Sequence, residues 1–474
     1  MKKSIDQSGH PYSRFWFIFT LLMGTFTMSI SQSSLSTAYP TLMRAFGISA
    51  STVQWLTTGF MLVMCVSMPI SPWMLNNFSF RKMFISILAL FDLGSLIIIL
   101  TPADWGVGGF WFMMIGRAME AFAVGALFPS YQSVLLEITP EENRGSTMGM
   151  AGLVMGSALA CGPIISGILL NYFSWKSLFI FFMLIITGII AIAYCGLIRN
   201  VMKPQPSKLD WLSAILLVGL IGIMYVINQL GKQDVNWLVN GGVLVISVCA
   251  VIWFSYRQFN LTIPLLDLKV LKTSNYDLAI LLTSISYVAL IVTTIIFPLY
   301  YQGILKLSPF LSGMALVPGA VFLSLLNPLT GKMADKIGYK PTMMTGMVMI
   351  VLGCVGAFLS ASQLNPVLMI ICAMVIEGGN AFVMMPAVTL GANSLPDDLV
   401  PHGTAVITTV RQVLGSLGVS LSTIILTAVT SQQLSLGKDH LAASLTGYHY
   451  VFLGMLIIEV IGLGIALALK NTAK

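Results

Sequence analysis

Fourteen stretches of mostly apolar residues follow one another along this chain, over residues 14–36, 53–75, 83–101, 109–135, 147–170, 177–198, 211–230, 237–256, 276–299, 309–330, 341–361, 366–391, 404–428 and 447–469. A helix of roughly 20 such residues crosses the ~30 Å hydrocarbon core of a bilayer. In lipid every backbone polar group needs an internal partner, so only helices and closed barrels span it. These runs are continuous and lack the period-2 alternation of barrel strands, which points to helices. Only 9% of residues are charged, against about 25% in soluble domains. Such a chain cannot cover a water-facing surface. The expected fold class is therefore an all-α polytopic membrane protein with fourteen transmembrane helices and the lipid bilayer as its solvent.

Basic residues set orientation, because Lys and Arg are retained on the cytoplasmic side. With the N-terminus inside, 17 of the 24 Lys/Arg fall on inner tails and loops, among them Lys2, Lys3, Arg81, Lys82, Arg144, Lys203, Lys336, Lys340, Lys470 and Lys474. Five fall on outer loops: Arg44, Lys176, Lys232, Lys306 and Lys438. The bias predicts a multi-pass protein of the cell membrane with both termini cytoplasmic. It also accounts for the net charge of +7 without nucleic acid, since basic loops lie against an anionic leaflet. The six cysteines all fall in apolar runs, no metal-ligand spacing occurs, and no cofactor is expected. The first apolar run lacks a small-residue cleavage site, so it reads as an uncleaved helix.

Two features recur at one offset. PEENRGST (140–147) precedes the fifth run and PDDLVPHGT (396–404) the thirteenth; Gly145 and Gly403 are 258 residues apart. LNNFSFRK (75–82) follows the second run and GKMADKIGYK (331–340) the tenth; Lys82 and Lys340 are also 258 apart. The chain thus divides into a six-helix bundle over 1–200, two inserted helices over 201–260 and a second six-helix bundle over 261–474. Parallel six-helix repeats are a secondary-transporter plan, with the substrate site near mid-membrane between them.

The motifs carry a more specific resemblance. GKMADKIGYK, with Gly331, Asp335, Gly338 and Lys340, resembles the loop signature of the major facilitator superfamily. The glycines permit a tight turn, and the acid can cap a helix start or pair with bases. GRAMEAFAVGA places Arg117 where that family has a fourth-helix arginine, with Glu120 where Gln is usual. AGLVMGSALACGPIISG, with Gly162, Pro163 and Gly167, resembles the family's fifth-helix antiporter motif. Its small residues would let helices approach closely, and Pro163 favours a bend. LDWLSAILLVGL (209–220) resembles the start of the seventh span in the fourteen-helix drug:proton antiporter branch. The resemblance implies the major facilitator fold and multidrug efflux coupled to protons. Three positions depart from the pattern. Ser31 stands where that branch has a first-helix Asp, the first-half loop has an amide at Asn76 or Asn77 in place of Asp, and its second glycine becomes Ser79 or Phe80.

Charges inside the apolar runs are the candidate site. Insertion scales charge about 2.5–3.5 kcal/mol for a mid-span Arg or Asp, so such residues are functional by default. Arg117 and Glu120, one turn apart, can pair or face a wet cavity, and a helix movement that separates them would couple proton binding to conformation, which makes both candidates for proton coupling or substrate binding. A permanent ion pair that only locks helix packing is the competing reading. Glu377, in VIEGGNAF, is a candidate for binding a cation or carrying a proton. Asp92, in FDLGS, is a further candidate and an alternative partner for Arg117. Glu459 sits in the last helix, where a peripheral position is expected. Arg411-Gln412 is read as snorkelling to the inner interface, and Tyr300, Tyr301 and Gln302 as an interfacial belt.

The reading is a secondary active transporter, not an enzyme, that exchanges inward protons for outward lipophilic small molecules and acts as a monomer. No nucleotide-binding Gly-x-x-x-x-Gly-Lys-Ser/Thr loop occurs. Two alternatives stand beside it. One is a uniporter or an exporter of a neutral or anionic metabolite without proton coupling. The other is an intramembrane enzyme or sensor, for which no nucleophile–base constellation is present.

Overall fold

The computed structural model describes residues 4–7, 9–202, 206, 208–229 and 236–469. Of the basic positions named above, Lys2, Lys3, Lys203, Lys232, Lys470 and Lys474 lie outside the described residues. Among the described residues, thirteen helices are long and apolar enough to cross a membrane. A fourteenth apolar helix, Trp211–Ile227, is shorter. At roughly 1.5 Å per residue it extends about 26 Å, just under the ~30 Å hydrocarbon core. A two-residue antiparallel hairpin, Ser4–Ile5 with Pro11–Tyr12, adds a small β element to a fold expected to be all-helical. Gly9, at φ +81°, makes its turn.

The helices are, in order, α1 Arg14–Phe46, α2 Trp55–Asn77, α3 Phe80–Leu100, α4 Val107–Glu137, α5 Arg144–Tyr172, α6 Lys176–Leu197, α7 Trp211–Ile227 and α8 Trp237–Asn260. Then follow α9 Ser274–Gly303, α10 Val317–Ile337, α11 Tyr339–Ser360, α12 Pro366–Asn393, α13 Val400–Ser435 and α14 His440–Ala468. Within α2 a 3₁₀ turn at Met68–Ile70 joins Trp55–Ser67 to Ser71–Asn77.

Lipid tails are as apolar as Leu, so helices in a membrane associate through close backbone approach at small residues. The α5–α10 crossing shows this best. Gly149 and Gly156 of α5 face α10 so closely that an added Cβ would sit 2.5 Å from the Asn327 carbonyl oxygen and 2.7 Å from Ser324 Oγ, respectively. Ser324 Oγ also donates to the Leu153 carbonyl at 3.1 Å. Helices α3 and α4 cross at Gly94, where a Cβ would lie 2.6 Å from the Gly116 oxygen. The largest apolar cluster runs through α1–α6 and continues into the start of α13, and a second joins α9 to α12 and α14. A small third cluster, Leu62, Cys65 and Met224, ties α2 to α7. All six cysteines are free.

Beside the membrane, Asp210 caps α7 and clasps α8. Its carboxylate accepts Arg257 Nε at 2.9 Å and Nη2 at 3.0 Å, and Ser213 Oγ at 2.5 Å. Such a bidentate fork fixes orientation as well as charge.

Candidate functional site

Arg117 and Glu120 form an ion pair on one face of α4. They are 1% and 0% exposed. Ser95 Oγ of α3 donates to Glu120 Oε1 at 2.6 Å. The guanidinium lies 4.3 Å from the centroid of the Phe60 ring of α2, within cation–π range. Gly94 makes room for the acid: a Cβ there would come within 3.0 Å of Glu120 Cγ. The pair therefore sits inside the α2–α3–α4 packing. Its residues complete each other's charge, apart from an enclosed Arg117 Nε without a partner. Removing one member of such a pair costs about 3–5 kcal/mol.

Asp92 is not the partner of Arg117. Half-buried on α3, it accepts a hydrogen bond from Thr187 Oγ1 of α6 at 2.7 Å. Ser95, three positions further along α3, makes the hydrogen bond to α4 instead.

Glu377, near the middle of α12, is 1% exposed, and its Oε2 has no hydrogen-bond partner. No ion pair among the described residues includes it. Its carboxyl fills the space left by Gly319 of α10, where a Cβ would lie 2.8 Å from the carboxyl carbon. Glu459 is likewise buried, 1% exposed with an unpartnered Oε2, rather than peripheral as expected. Ser31, in the place of the first-helix acid, is 1% exposed and its Oγ is also unpartnered.

At one end of the bundle the two sequence repeats grip each other. Asp335, in the last turn of α10, accepts the backbone N–H groups of Gly145 at 2.9 Å and Ser146 at 2.7 Å. These belong to the first turn of α5, where free N–H groups and the helix dipole attract a carboxylate. Gly331 packs on Gly145, Gly338 turns the chain into α11 at φ +97°, and Lys340 Nζ donates to the Leu467 carbonyl at 2.8 Å, near the end of α14. Arg144 adds bonds to the Leu136 carbonyl at 3.1 Å and to Asn393 Oδ1 at 2.8 Å. The Ser133 and Thr404 hydroxyls share a hydrogen bond between α4 and α13. In the fifth-helix motif, Gly162 packs on Ser33 of α1, Pro163 lies within the continuous α5 and Gly167 meets only Phe310, at 3.8 Å from a built Cβ.

Two further expectations change. Arg411 does not snorkel: it is 6% exposed, with its guanidinium 5.1 Å from the Tyr287 ring centroid. Tyr287, beneath the guanidinium, belongs to α9, so the side chain is enclosed by helix packing. Tyr300 and Tyr301 are fully buried rather than interfacial, and Tyr300 Oη donates to the Ala361 carbonyl at 2.6 Å. Tyr131, Gln132 and Tyr287 were not among the sequence candidates, since nothing local marks a polar residue in an apolar run as belonging to a shared site.

Among the described residues no group of His, Cys, Asp or Glu is placed to hold a metal. The chain is 32% identical over 476 residues to the uncharacterized MFS-type transporter YcnB of Bacillus subtilis, covering 100% of this chain and 98% of that protein. It is 34% identical over 463 residues to the lincomycin resistance protein LmrB of Listeria monocytogenes, covering 96% of each. The structure superposes on the human organic anion transporter MFSD10 with a TM-score of 0.65 at 11% identity, covering 94% of this chain and 99% of that one; this likeness speaks for the fold alone. Residues 21–419 match the Major Facilitator Superfamily, and this chain is a multi-pass membrane transporter belonging to that superfamily.

Proposed function

We propose that this protein exports lipophilic drug-like compounds in exchange for protons. In this reading fourteen helices span the membrane, both termini are cytoplasmic and the monomer is the working unit. The bundles at 1–200 and 261–474 rock about a central site, with 201–260 an inserted pair. The observation that carries it is Glu377, an enclosed carboxyl with no cation facing it. A carboxylate there has nothing to offset its charge, whereas a protonated acid carries none. Access to water on one side and then the other would load and discharge it. Arg117 and Glu120 serve as the rigid electrostatic spine of the first bundle, and Asp92 as its neighbour on α3. The Asp335 clasp holds the loop end shut in one of the two facing states. Similarity to a lincomycin resistance protein supports export of an antibiotic-like substrate.

Everted vesicles test this. Lincomycin uptake into vesicles should follow an imposed pH gradient and collapse with a protonophore. Uptake indifferent to the gradient removes the antiport claim and leaves transport. That outcome would favour a uniporter or an exporter without proton coupling, the second reading, for which Ser31 in place of an acid is the motivating observation.

A further inference from the structure

Two arginines lie deep in this bundle, and they are treated differently. Arg117 has an aromatic face, Phe60, and a carboxylate, Glu120. Arg411 has the aromatic face, Tyr287, and no carboxylate. Among the described residues no ion pair contains it, and its enclosed Nε and Nη1 have no hydrogen-bond acceptor. The ionisable groups that bear on it are the phenols of Tyr287 and Tyr131, and neither is an acceptor of comparable strength to a carboxylate.

The surroundings are polar and aromatic, and they draw on both repeats. Tyr287 Oη donates to Gln412 Oε1 at 3.0 Å, which fixes the ring under the guanidinium. Tyr131 Oη accepts from Gln132 Nε2 at 3.4 Å, so its own O–H remains to donate. Tyr131 belongs to α4 of the first repeat, while Tyr287 and Arg411 belong to α9 and α13 of the second. Next to them lies an apolar cluster of Leu62, Cys65 and Met224, with Val413 packed against it. Arg411 and Tyr287 are eleven and thirteen residues from the starts of their helices, about 16–20 Å at 1.5 Å per residue.

A planar, always-charged guanidinium is suited to a carboxylate, sulfonate or phosphate, which it binds through paired N–H donors. We propose that Arg411 is the anion-recognition point of a substrate site between the two repeats, and that the substrate is an amphipathic compound with one anionic group. Tyr131 donates a second hydrogen bond to that group, and the Leu62–Cys65–Met224 cluster receives the apolar body. This names a substrate class within the transport reading above and rests on it.

The test uses the full chain in phosphatidylcholine nanodiscs with three probes that differ only in headgroup: pyrenebutyrate, pyrenebutanol and a pyrenebutyl ammonium. Binding is read by tryptophan-to-pyrene energy transfer. The carboxylate should bind about tenfold or more tighter than the alcohol, the gain expected of one charge-assisted contact. Arg411→Gln should abolish that preference while leaving the alcohol's affinity and the melting temperature in place, and Arg411→Lys should keep part of it. Replacing a third of the lipid with phosphatidylglycerol should change nothing. The proposal is overturned by equal affinity for the three probes, by an unchanged preference in Arg411→Gln, by absence of saturable binding or by displacement of the carboxylate by phosphatidylglycerol. Binding in discs needs no gradient. Vesicles that fail to move a bound probe would therefore sink the transport reading and leave the site standing.

Discussion

Replacing Asp335 with alanine should open the loop end of the bundle. The carboxylate accepts two backbone N–H groups, from Gly145 at 2.9 Å and Ser146 at 2.7 Å. A hydrogen bond to a charged group contributes about 1.5–3 kcal/mol, and a charge at a helix N-terminus about 0.3–1 kcal/mol. Asp335 is half-buried, and both partners regain water when the clasp opens. A net contribution of about 2 kcal/mol follows, roughly a 30-fold change in the closed-to-open ratio. Spin labels at Glu142 and Lys336, both exposed on opposite sides of the clasp, in a background with the six cysteines replaced, would report the separation by double electron–electron resonance. The wild type should give mainly the short distance. Asp335→Ala should add a long-distance population, and Asp335→Asn, which keeps one acceptor oxygen, should fall between. Identical distributions in all three would show that the clasp carries no conformational weight.

Four further outcomes follow from the geometry of other sites. Glu377→Gln should abolish gradient-driven efflux while preserving substrate exchange across vesicles. Glu120→Gln should lower the melting temperature instead, since an unpaired Arg117 approaches the 3–5 kcal/mol cost of a broken buried pair; the reverse pattern would exchange their roles. Gly319→Ala puts a methyl group 2.8 Å from the Glu377 carboxyl carbon and should destabilise by about 1–3 kcal/mol, an effect relieved by Glu377→Ala if the collision is the cause. At Asp210, burial pushes the carboxyl's pKa up, but hydrogen bonds from Arg257 and Ser213 outweigh it and hold the group below its ordinary value of 3.8. Because the folded-state value is depressed, the stabilisation is complete above about pH 4 and fades as pH falls through the lower folded value. Hydrogen-exchange protection factors in α7 and α8, taken relative to the intrinsic rate at each pH, should therefore fall only in acid, and Asp210→Asn should lower them at all pH.

What could be read from the sequence was whatever repeats or interrupts a pattern. Apolar length located the helices, because lipid leaves the backbone few other choices. The 258-residue offset paired the two loops, and the i,i+3 spacing anticipated that Arg117 and Glu120 could meet. What stayed hidden depends on helix rotation and on partners far away in the chain. Asp92 lies only three residues from Ser95, yet it turns to Thr187 while Ser95 reaches Glu120. Arg411 near a helix start suggests an interface, and only its burial and its packing over Tyr287 show that it stays inside. Tyr300 and Tyr301 end an apolar run, as belt residues do, but neighbouring helices extend past them and bury them.

The two loops are equivalent in position and unequal in charge. By the repeat offset, Asp335 corresponds to Asn77, and Gly145 and Ser146 correspond to Gly403 and Thr404. In the second copy a carboxylate meets a helix N-terminus and the attraction is that of an ion and a dipole. In the first copy an amide stands instead, and its Nδ2 donates to the Trp73 carbonyl at 2.9 Å, within its own helix. An amide carries no net charge, so the helix dipole of α13 gains little from it. Closure at this end therefore leans on the α5–α10 side, where the glycine crossing and the Asp335 bonds coincide. The α4–α13 side is held by the Ser133–Thr404 contact, by apolar packing of the α13 start on the first bundle and, at its edge, by the partly exposed Arg144–Asp397 ion pair at 3.8 Å. Opening this end therefore requires release of the Asp335 clasp as well as separation of α4 from α13, and on the proposed reading both together would give a ligand access to Arg411.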